Sequence, residues 1–196
     1  MQMERYNPEA LLPSWLREFS AENCGELPSD EKRMKFAIEL ARQNVLHGTG
    51  GPFGAVVFDC STGRPVAVGV NLVVGSNCSH AHAEMVALAI AEQRLSSYTL
   101  NRPGFPRYEL FTSSEPCAMC FGAIIWSGVS RLVCGARTAD AEDAGFDEGA
   151  KPERWMAELE KRGIEVVTGL CRSEAISVLQ LYLQKGGMIY NGHPQQ

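Results

Sequence analysis

Two short motifs constrain how this chain can fold, because their side chains must meet at one point to act together. The first is His-x-Glu, at His82 and Glu84, and the second is Pro-Cys-x-x-Cys, at residues 116–120. One imidazole nitrogen and two thiolates form a soft ligand set that suits Zn²⁺. Three protein ligands leave the fourth tetrahedral position open, which is typical of a catalytic zinc site. We therefore predict one zinc ion per chain, held by His82, Cys117 and Cys120.

The side chains of each motif can converge on one metal ion only if the motif lies at the start of a helix. Cys117 and Cys120 share one face if a helix begins near Pro116, and proline is well suited to a first turn. A helix N-terminus also lowers the pKa of thiols, which makes thiolates available. His82 and Glu84 would diverge in the middle of a helix, but they can approach one metal ion where the strongly helical run after His82 begins. Glu84 is not needed as a ligand, and it is placed to transfer protons during a hydrolysis.

Each part of the pattern also has a simpler interpretation. A lone Cys-x-x-Cys is as often a redox pair or half of a structural zinc site, and a single histidine is more often an ordinary core or surface residue. A zinc-stabilised interaction module without enzymatic activity is another alternative. The missing fourth ligand and the presence of Glu84 argue against it. The combination of motifs favours a catalytic site, and we interpret the other cysteines and His80 as structural.

The composition excludes several classes of protein. A length of 196 residues predicts one domain, and an apolar fraction of 45% is ordinary for a globular core. The net charge of −5 gives no support for a polyanionic partner, so no nucleic acid is expected. Seven cysteines without a secretory signal favour reduced thiols and a cytoplasmic location. No apolar run has membrane-spanning length, so no membrane association is expected.

The hydrophobic pattern predicts an α/β fold. We expect residues 1–28 to form an N-terminal arm with a short helix, residues 29–185 the domain that carries both motifs, and residues 186–196 a C-terminal tail. The predicted strands are 54–59, 66–74, 108–112, 131–134 and 164–168. Longer helices are predicted to begin at Ser29, His82, Cys117, Lys151 and Ser173, whereas residues 137–151 are predicted to be a connection. Strands that alternate with helices predict a three-layer α/β/α sandwich with a five-stranded mixed sheet and one antiparallel hairpin.

With its elements in this order, the chain resembles the cytidine deaminase-like superfamily across residues 30–185, and within it the bacterial guanine deaminases. The resemblance is carried by residues 51–57, Asn71, residues 82–85, residues 114–120 and residues 144–148. The first four of these segments also occur in tRNA adenosine deaminases. Only the Gly-Phe-Asp-Glu element at residues 145–148, followed by a helix, a strand, a helix and an aromatic tail, favours guanine deaminase.

The resemblance implies roles for further residues. Asn71 would hydrogen-bond the edge of a base, and Phe53 and the His82 ring would sandwich a purine. Glu148 would be a second proton carrier near the leaving amine, with Asp147 as the alternative. The tail would close over the site, which would give Tyr190 a role. Each of these residues also has a purely structural interpretation. Asn71 could be a turn residue and Phe53 a core ring, while Glu148 could be a solvated loop acid and Tyr190 a packing aromatic.

The resemblance implies hydrolysis of a small-molecule purine base, guanine, to xanthine and ammonia. It also implies a homodimer, with exchange of the C-terminal segments left open. Two alternatives remain within the same scaffold: a deaminase of another amino-heterocycle, such as an s-triazine or pterin, and a tRNA adenosine deaminase. We further expect Phe146 to be buried and so to direct the acids after it, while Glu142 and Asp143 stay solvated.

Overall fold

The hydrophobic runs between residues 54 and 167 form the strands of one mixed sheet in the computed structural model, which describes residues 7–23 and 25–192. The strands are β1 (Gly54–Asp59), β2 (Pro65–Val70), β3 (Tyr108–Ser114), β4 (Arg131–Ala136) and β5 (Glu165–Val167). Their order across the sheet is β2-β1-β3-β4-β5. The predicted fold class, an α/β sandwich with a five-stranded mixed sheet, is confirmed.

Eight α-helices accompany the sheet within the described residues, after a short 3-10 helix at Pro8–Leu11. They are α1 (Ser14–Glu22), α2 (Asp30–Leu46), α3 (Val73–Ser76), α4 (Ala83–Arg94), α5 (Ala118–Ser127), α6 (Thr138–Asp143), α7 (Trp155–Glu160) and α8 (Arg172–Gln184). Helices α2 and α8 pack together on one face of the sheet, and α4, which contacts α5, packs on the other. None of these helices is both long enough and apolar enough to cross a membrane.

The strand directions bring both motifs to the same edge of the sheet. Strand β1 is antiparallel to β2 and to β3, so β2 and β3 run in the same direction, and β4 and β5 are parallel to β3. The carboxyl ends of these four strands therefore lie at one edge, where open α/β sheets commonly bind ligands. The segments after Val70, Ser114 and Ala136 all begin there, and the segment before Gly54 ends there.

Close packing fixes where α4 begins. Gly69 in β2 lies directly under the helix, and a Cβ atom at this position would overlap the carbonyl oxygen of Ala83. Ala83 is the first residue of α4, and His82 comes immediately before it. The absence of a side chain at Gly69 thus lets the helix approach the sheet closely and sets the position of His82.

The N-terminal segment packs on the body of the sheet domain. Leu16 of α1 is fully buried, the Trp15 ring stacks on His47 with 4.9 Å between centroids, and its Nε1 donates to Thr49 Oγ1. Ser29 caps α2 as predicted, because its hydroxyl oxygen accepts a hydrogen bond from the backbone N–H of Lys32.

Three predicted element boundaries are wrong. The strand expected to reach residue 74 ends at Val70, because the side-chain oxygen of Asn71 accepts from the Val73 N–H at 3.4 Å and turns the chain into α3. The connection 137–151 contains α6, whose first turn is closed by Asp140 Oδ2 accepting from the Arg137 N–H at 2.7 Å. The helix expected from Lys151 begins only at Trp155.

Candidate active site

The two motifs meet as the sequence predicts. The ligand atoms of His82, Cys117 and Cys120 all lie within 4.8 Å of one another. His82 Nδ1 is 3.5 Å from Cys117 Sγ and 3.6 Å from Cys120 Sγ. A tetrahedral zinc ion with bonds of about 2.3 Å to sulfur and about 2.1 Å to nitrogen would hold such atoms about 3.6 Å apart. The three side chains therefore fit a zinc ion with one coordination position left open.

Two helix starts place these ligands. His82 is the N-cap residue of α4, with an extended backbone (φ −71°, ψ 156°). Cys117 occupies the same position in α5 (φ −67°, ψ 174°), and Cys120 lies in the first turn of that helix. In a regular helix the side chains of residues 82 and 84 would point in different directions. The extended backbone at His82 is what lets its ring and Glu84 approach the same point.

The thiols are chemically prepared for metal binding. The pKa of Cys117 is lowered to about 4, chiefly by a hydrogen bond from the Cys120 thiol and further by the His82 ring, against the opposing effect of burial. The pKa of Cys120 is raised, because its thiol is the donor in that pair and because it is buried. Cys117 is thus the thiol that ionises first, and a bound metal ion would displace the proton that Cys120 keeps.

Glu84 lies inside the site rather than on a solvated helix surface. The side chain is 6% exposed, Oε1 accepts from Thr112 Oγ1 at 3.3 Å, and Oε2 is 3.5 Å from Cys120 Sγ. Burial raises the pKa of Glu84, and the charge of Cys117 raises it further. A carboxyl group with a raised pKa next to a metal position can both accept and return a proton.

The two acids of the Gly-Phe-Asp-Glu element have different environments. Glu148 is 7% exposed, and its Oε2 has no hydrogen-bond partner among the described residues. Burial, and next the charge of Cys117, raise the pKa of Glu148 to about 8, while Lys151 opposes the rise. Asp147 is exposed at the cavity rim, and its Oδ1 accepts from the Gly149 N–H at 2.8 Å.

Aromatic rings form the walls of the cavity beside these acids. Phe53 meets Phe146 edge to face, with 4.9 Å between centroids and 73° between planes. On its other side Phe146 stacks on Tyr182 at 6.1 Å and 25°. Phe146 packs against both rings but is only half-buried, whereas the sequence predicted a buried ring; Glu142 and Asp143 are exposed as expected. Asn71 and His82 also line the cavity.

The C-terminal tail crosses the mouth of this cavity. Tyr190 lines the rim and is 45% exposed, and Tyr182 donates from its hydroxyl to the carbonyl oxygen of Met188 at 2.7 Å. The side chain of Asn191 donates to the Gly145 carbonyl at 3.1 Å and accepts from the Asp147 N–H at 2.9 Å. The tail is therefore attached to the loop that carries both candidate acids.

The sequence interpretation did not assign several residues of this cavity. They are Gly51, Val73, Val74, Glu115, Tyr182 and Met188. Glu115 belongs to the motif segment itself, where a buried acid before Pro-Cys-x-x-Cys was the available signal. Its Oε2 accepts from the Thr138 N–H at 2.9 Å and from Thr138 Oγ1 at 2.8 Å. The other five come from separate parts of the chain, and no local pattern indicates that they face one cavity.

Comparison with known proteins places the site in a family. Residues 27–136 match the family model for the cytidine and deoxycytidylate deaminase zinc-binding region. The chain is 42% identical to the guanine deaminase of Bacillus subtilis over 118 residues, which are 60% of this chain and 71% of that protein. It is 31% identical to the tRNA-specific adenosine deaminase of Haemophilus influenzae over 159 residues, or 80% and 84% of the two chains.

Solved structures agree with this placement. The guanine deaminase from Nitrosomonas europaea is 49% identical, with a TM-score of 0.83 over 87% of this chain and 93% of that chain. The protein NE0047 in complex with 2,6-diaminopurine is 47% identical, with a TM-score of 0.85 over 94% and 98% of the two chains. Because the family model matches more than half of the sequence and the fold agrees with it, the chain belongs to the cytidine and deoxycytidylate deaminase family and is a zinc-dependent hydrolytic deaminase.

Proposed function

We propose that this deaminase hydrolyses free guanine to xanthine and ammonia. The observation that carries the proposal is the buried Glu148, whose Oε2 has no partner among the described residues and which lines the same cavity as His82, Glu84 and Cys117. A second acid helps the deamination of a ring-bound amine, because one carboxyl group would otherwise have to serve both the ring nitrogen and the departing amine. The similarity to the Bacillus and Nitrosomonas guanine deaminases supports this choice of base.

Each side chain has a proposed part in the reaction. His82, Cys117 and Cys120 hold the zinc ion, whose Lewis acidity makes water nucleophilic near neutral pH. Glu84 takes a proton from the attacking water at Oε2 and returns it to a ring nitrogen. Glu148 supplies a proton at Oε2 to the amine on C2, and the C2–N bond breaks to release ammonia. As the C2 carbonyl forms, the proton of the C2 hydroxyl group returns to the Glu148 carboxylate. We prefer Glu148 to Asp147 because only Glu148 is buried and has an oxygen without a partner.

The cavity walls are proposed to hold and desolvate the purine. Phe53 and the His82 ring would lie against its two faces, and the amide of Asn71 would bond to its edge, since an amide offers both a donor and an acceptor. Tyr190 and the tail would cover the remaining opening and exclude water. Exclusion of water strengthens every electrostatic interaction with the reacting ring.

The rival substrates are distinguishable by their physical demands. A tRNA substrate needs cationic contacts for its phosphates, whereas this chain has a net charge of −5 and a tail across its cavity. An aminotriazine or a pterin would need no such contacts. The test is an ammonia-release screen of guanine, guanosine, adenine, an aminotriazine, a pterin and tRNA with the zinc-loaded enzyme.

We expect release from guanine, with xanthine as the product, and no inosine formation in tRNA. Zinc content is measured in the same preparation and is expected to be one ion per chain. Inosine formation in tRNA that weakens steeply with salt, without activity on guanine, would support the tRNA alternative instead. Turnover of the triazine or pterin alone would support the second alternative.

We also propose that the enzyme is a homodimer that works in the cytoplasm. Helix α5 exposes apolar side chains next to the site: Trp126 is 84% and Met119 is 37% exposed. Exposed aromatic and methionine side chains on one helix are typical of an interface. Sedimentation of the purified protein should give a dimer, and Trp126→Glu should shift it toward monomer. Whether the tails are exchanged is tested by cross-linking Tyr190→Cys to Phe53→Cys and asking whether the bond joins two chains.

A further inference from the structure

We propose that Lys151 is a positioning residue that holds the peptide between Pro116 and Cys117 in the orientation that metal binding requires. This inference rests on the proposed zinc site. Lys151 Nζ donates to the Pro116 carbonyl oxygen at 2.7 Å and to Thr138 Oγ1 at 2.7 Å. The Pro116 carbonyl belongs to the peptide group whose nitrogen is that of Cys117, so the ammonium fixes the plane immediately before this thiolate ligand.

The surroundings of Lys151 are unusual for a lysine. The side chain is half-buried, and within the described residues its ammonium forms no ion pair with a carboxylate. Its contacts are two neutral oxygen atoms and the Trp155 ring, whose centroid is 5.0 Å from Nζ. Removing an ammonium from water is costly unless its hydrogen bonds are satisfied. A lysine side chain that made no specific contacts would extend into solvent, as the exposed side chain of Lys161 does.

Thr138 connects this lysine to the other end of the same segment. The Thr138 hydroxyl donates its only proton to Glu115 Oε2 and accepts from Lys151 Nζ with a lone pair. Its N–H donates to the same Glu115 oxygen, and the Glu115 N–H donates to Ala136 O at 2.8 Å. Glu115 is therefore fixed through both its backbone and its side chain.

The segment is also held on the far side of Cys117. The Ala118 N–H donates to the backbone oxygen of Glu148 at 2.9 Å. The anchors of residues 115, 116 and 118 all come from residues 136–151, the stretch that also carries Glu148. Lys151 therefore connects the loop that carries Glu148 to the loop that carries Cys117. The positions of both loops depend on this one group of contacts.

Loss of the ammonium should release the Pro116 peptide and weaken the metal site. Residues that orient a metal ligand through hydrogen bonds typically change metal affinity or activity by about 10-fold to 100-fold when they are replaced. Lys151→Met keeps an apolar side chain against Trp155 but removes the ammonium and with it both hydrogen bonds. We expect zinc release from this variant to a chelator to be faster by about 10-fold to 100-fold, and turnover to fall while KM changes little.

The experiment compares four variants with the wild-type holoenzyme. Lys151→Met and Thr138→Val remove the contacts, Lys151→Arg keeps a cationic donor, and Lys161→Met is the matched control at an exposed ion pair. The readouts are the zinc release rate, the visible spectrum of the Co²⁺-substituted protein, and urea unfolding of the zinc-free protein. Zinc release should be fast from Lys151→Met, slower from Lys151→Arg than from Lys151→Met, and equal to the wild type in Lys161→Met. The spectrum of the Co²⁺-substituted protein should be altered in Lys151→Met.

Two results would overturn the inference. One is zinc release and a cobalt spectrum from Lys151→Met that match the wild type. The other is a loss of stability of the zinc-free protein without any change in zinc release, which would show a purely structural role. If Lys151→Met does not fold, Thr138→Val decides between the same outcomes. Wild-type protein that holds no zinc would refute the proposed function itself. The experiment therefore distinguishes a failure of the proposed function from a failure of the inference about Lys151.

Discussion

Glu148→Gln should change how the stability of the zinc-free protein depends on pH. Burial holds the pKa of Glu148 at about 8, above its ordinary 4.5. The folded protein therefore keeps this proton up to about pH 8, whereas the unfolded chain releases it near pH 4.5. Since the unfolded state binds fewer protons between these limits, the free energy of unfolding falls as the pH rises through this window. At about 1.4 kcal/mol per pH unit, the difference corresponds to about 5 kcal/mol.

The glutamine variant cannot titrate at this position and should not lose that stability. The assay is urea unfolding of zinc-free protein, with reduced thiols, at a series of pH values from about 5 to about 9. The informative quantity is the difference in free energy of unfolding between variant and wild type, because His82, Glu84 and the thiols titrate in both. We expect this difference to move in favour of the variant by about 4 kcal/mol across the series, because a small part of the total is already lost at pH 5.

The matched control is Asp143→Asn, since Asp143 is an exposed acid of the same segment. Its unfolding free energy should follow that of the wild type at every pH. Parallel curves for Glu148→Gln and the wild type would refute the reasoning, because they would show that Glu148 is ionised in the folded protein or is hydrated there. In the zinc-loaded enzyme the same substitution should mainly lower turnover, since the amine takes up its proton in the transition state.

Three further substitutions test the proposed roles. Cys117→Ala should lose zinc and activity together, and full metal occupancy measured in that variant would contradict its assignment as a ligand. Glu84→Gln should fold and retain zinc, but its turnover should fall by about 10²-fold to 10⁴-fold, the usual contribution of general acid–base catalysis. Steady-state kinetics would measure this loss. Asp147→Asn should lower turnover much less than Glu148→Gln. The reverse order, measured in side-by-side kinetics, would show that Asp147 is the second proton carrier.

The parts of the site that the sequence predicted are those with local signals. Cys117 and Cys120 three residues apart, a proline before them and a helical run after His82 define two helix starts without any tertiary information. The alternation of strands and helices then predicts that both starts lie at the carboxyl edge of the sheet. The packing of Phe146 against another ring was also predictable, because an apolar ring among acids needs a packing partner.

What the sequence did not predict depends on contacts between distant residues. Tyr182 follows the buried stripe of α8, and nothing near it in the chain shows that its hydroxyl reaches Met188 at the mouth of the cavity. Val73 and Val74 continue the apolar run of β2, so a strand was the natural prediction. The competing hydrogen bond from the Val73 N–H to Asn71 ended that strand and placed both valines on the cavity wall.

The division of the cavity between two stretches of chain has a consequence for how its substrate preference can change. The metal ligands and Glu84 lie within residues 27–136, which match the family model, whereas Phe146, Glu148, Tyr182 and Tyr190 lie beyond it. Mutations in residues 144–192 other than Glu148 and Lys151 can therefore reshape the pocket while the metal ligands and Glu84 stay unchanged. Laboratory evolution toward other amino-heterocycles should yield its productive changes there, and a library confined to that stretch, with Glu148 and Lys151 kept, would sample new substrates with few inactive members.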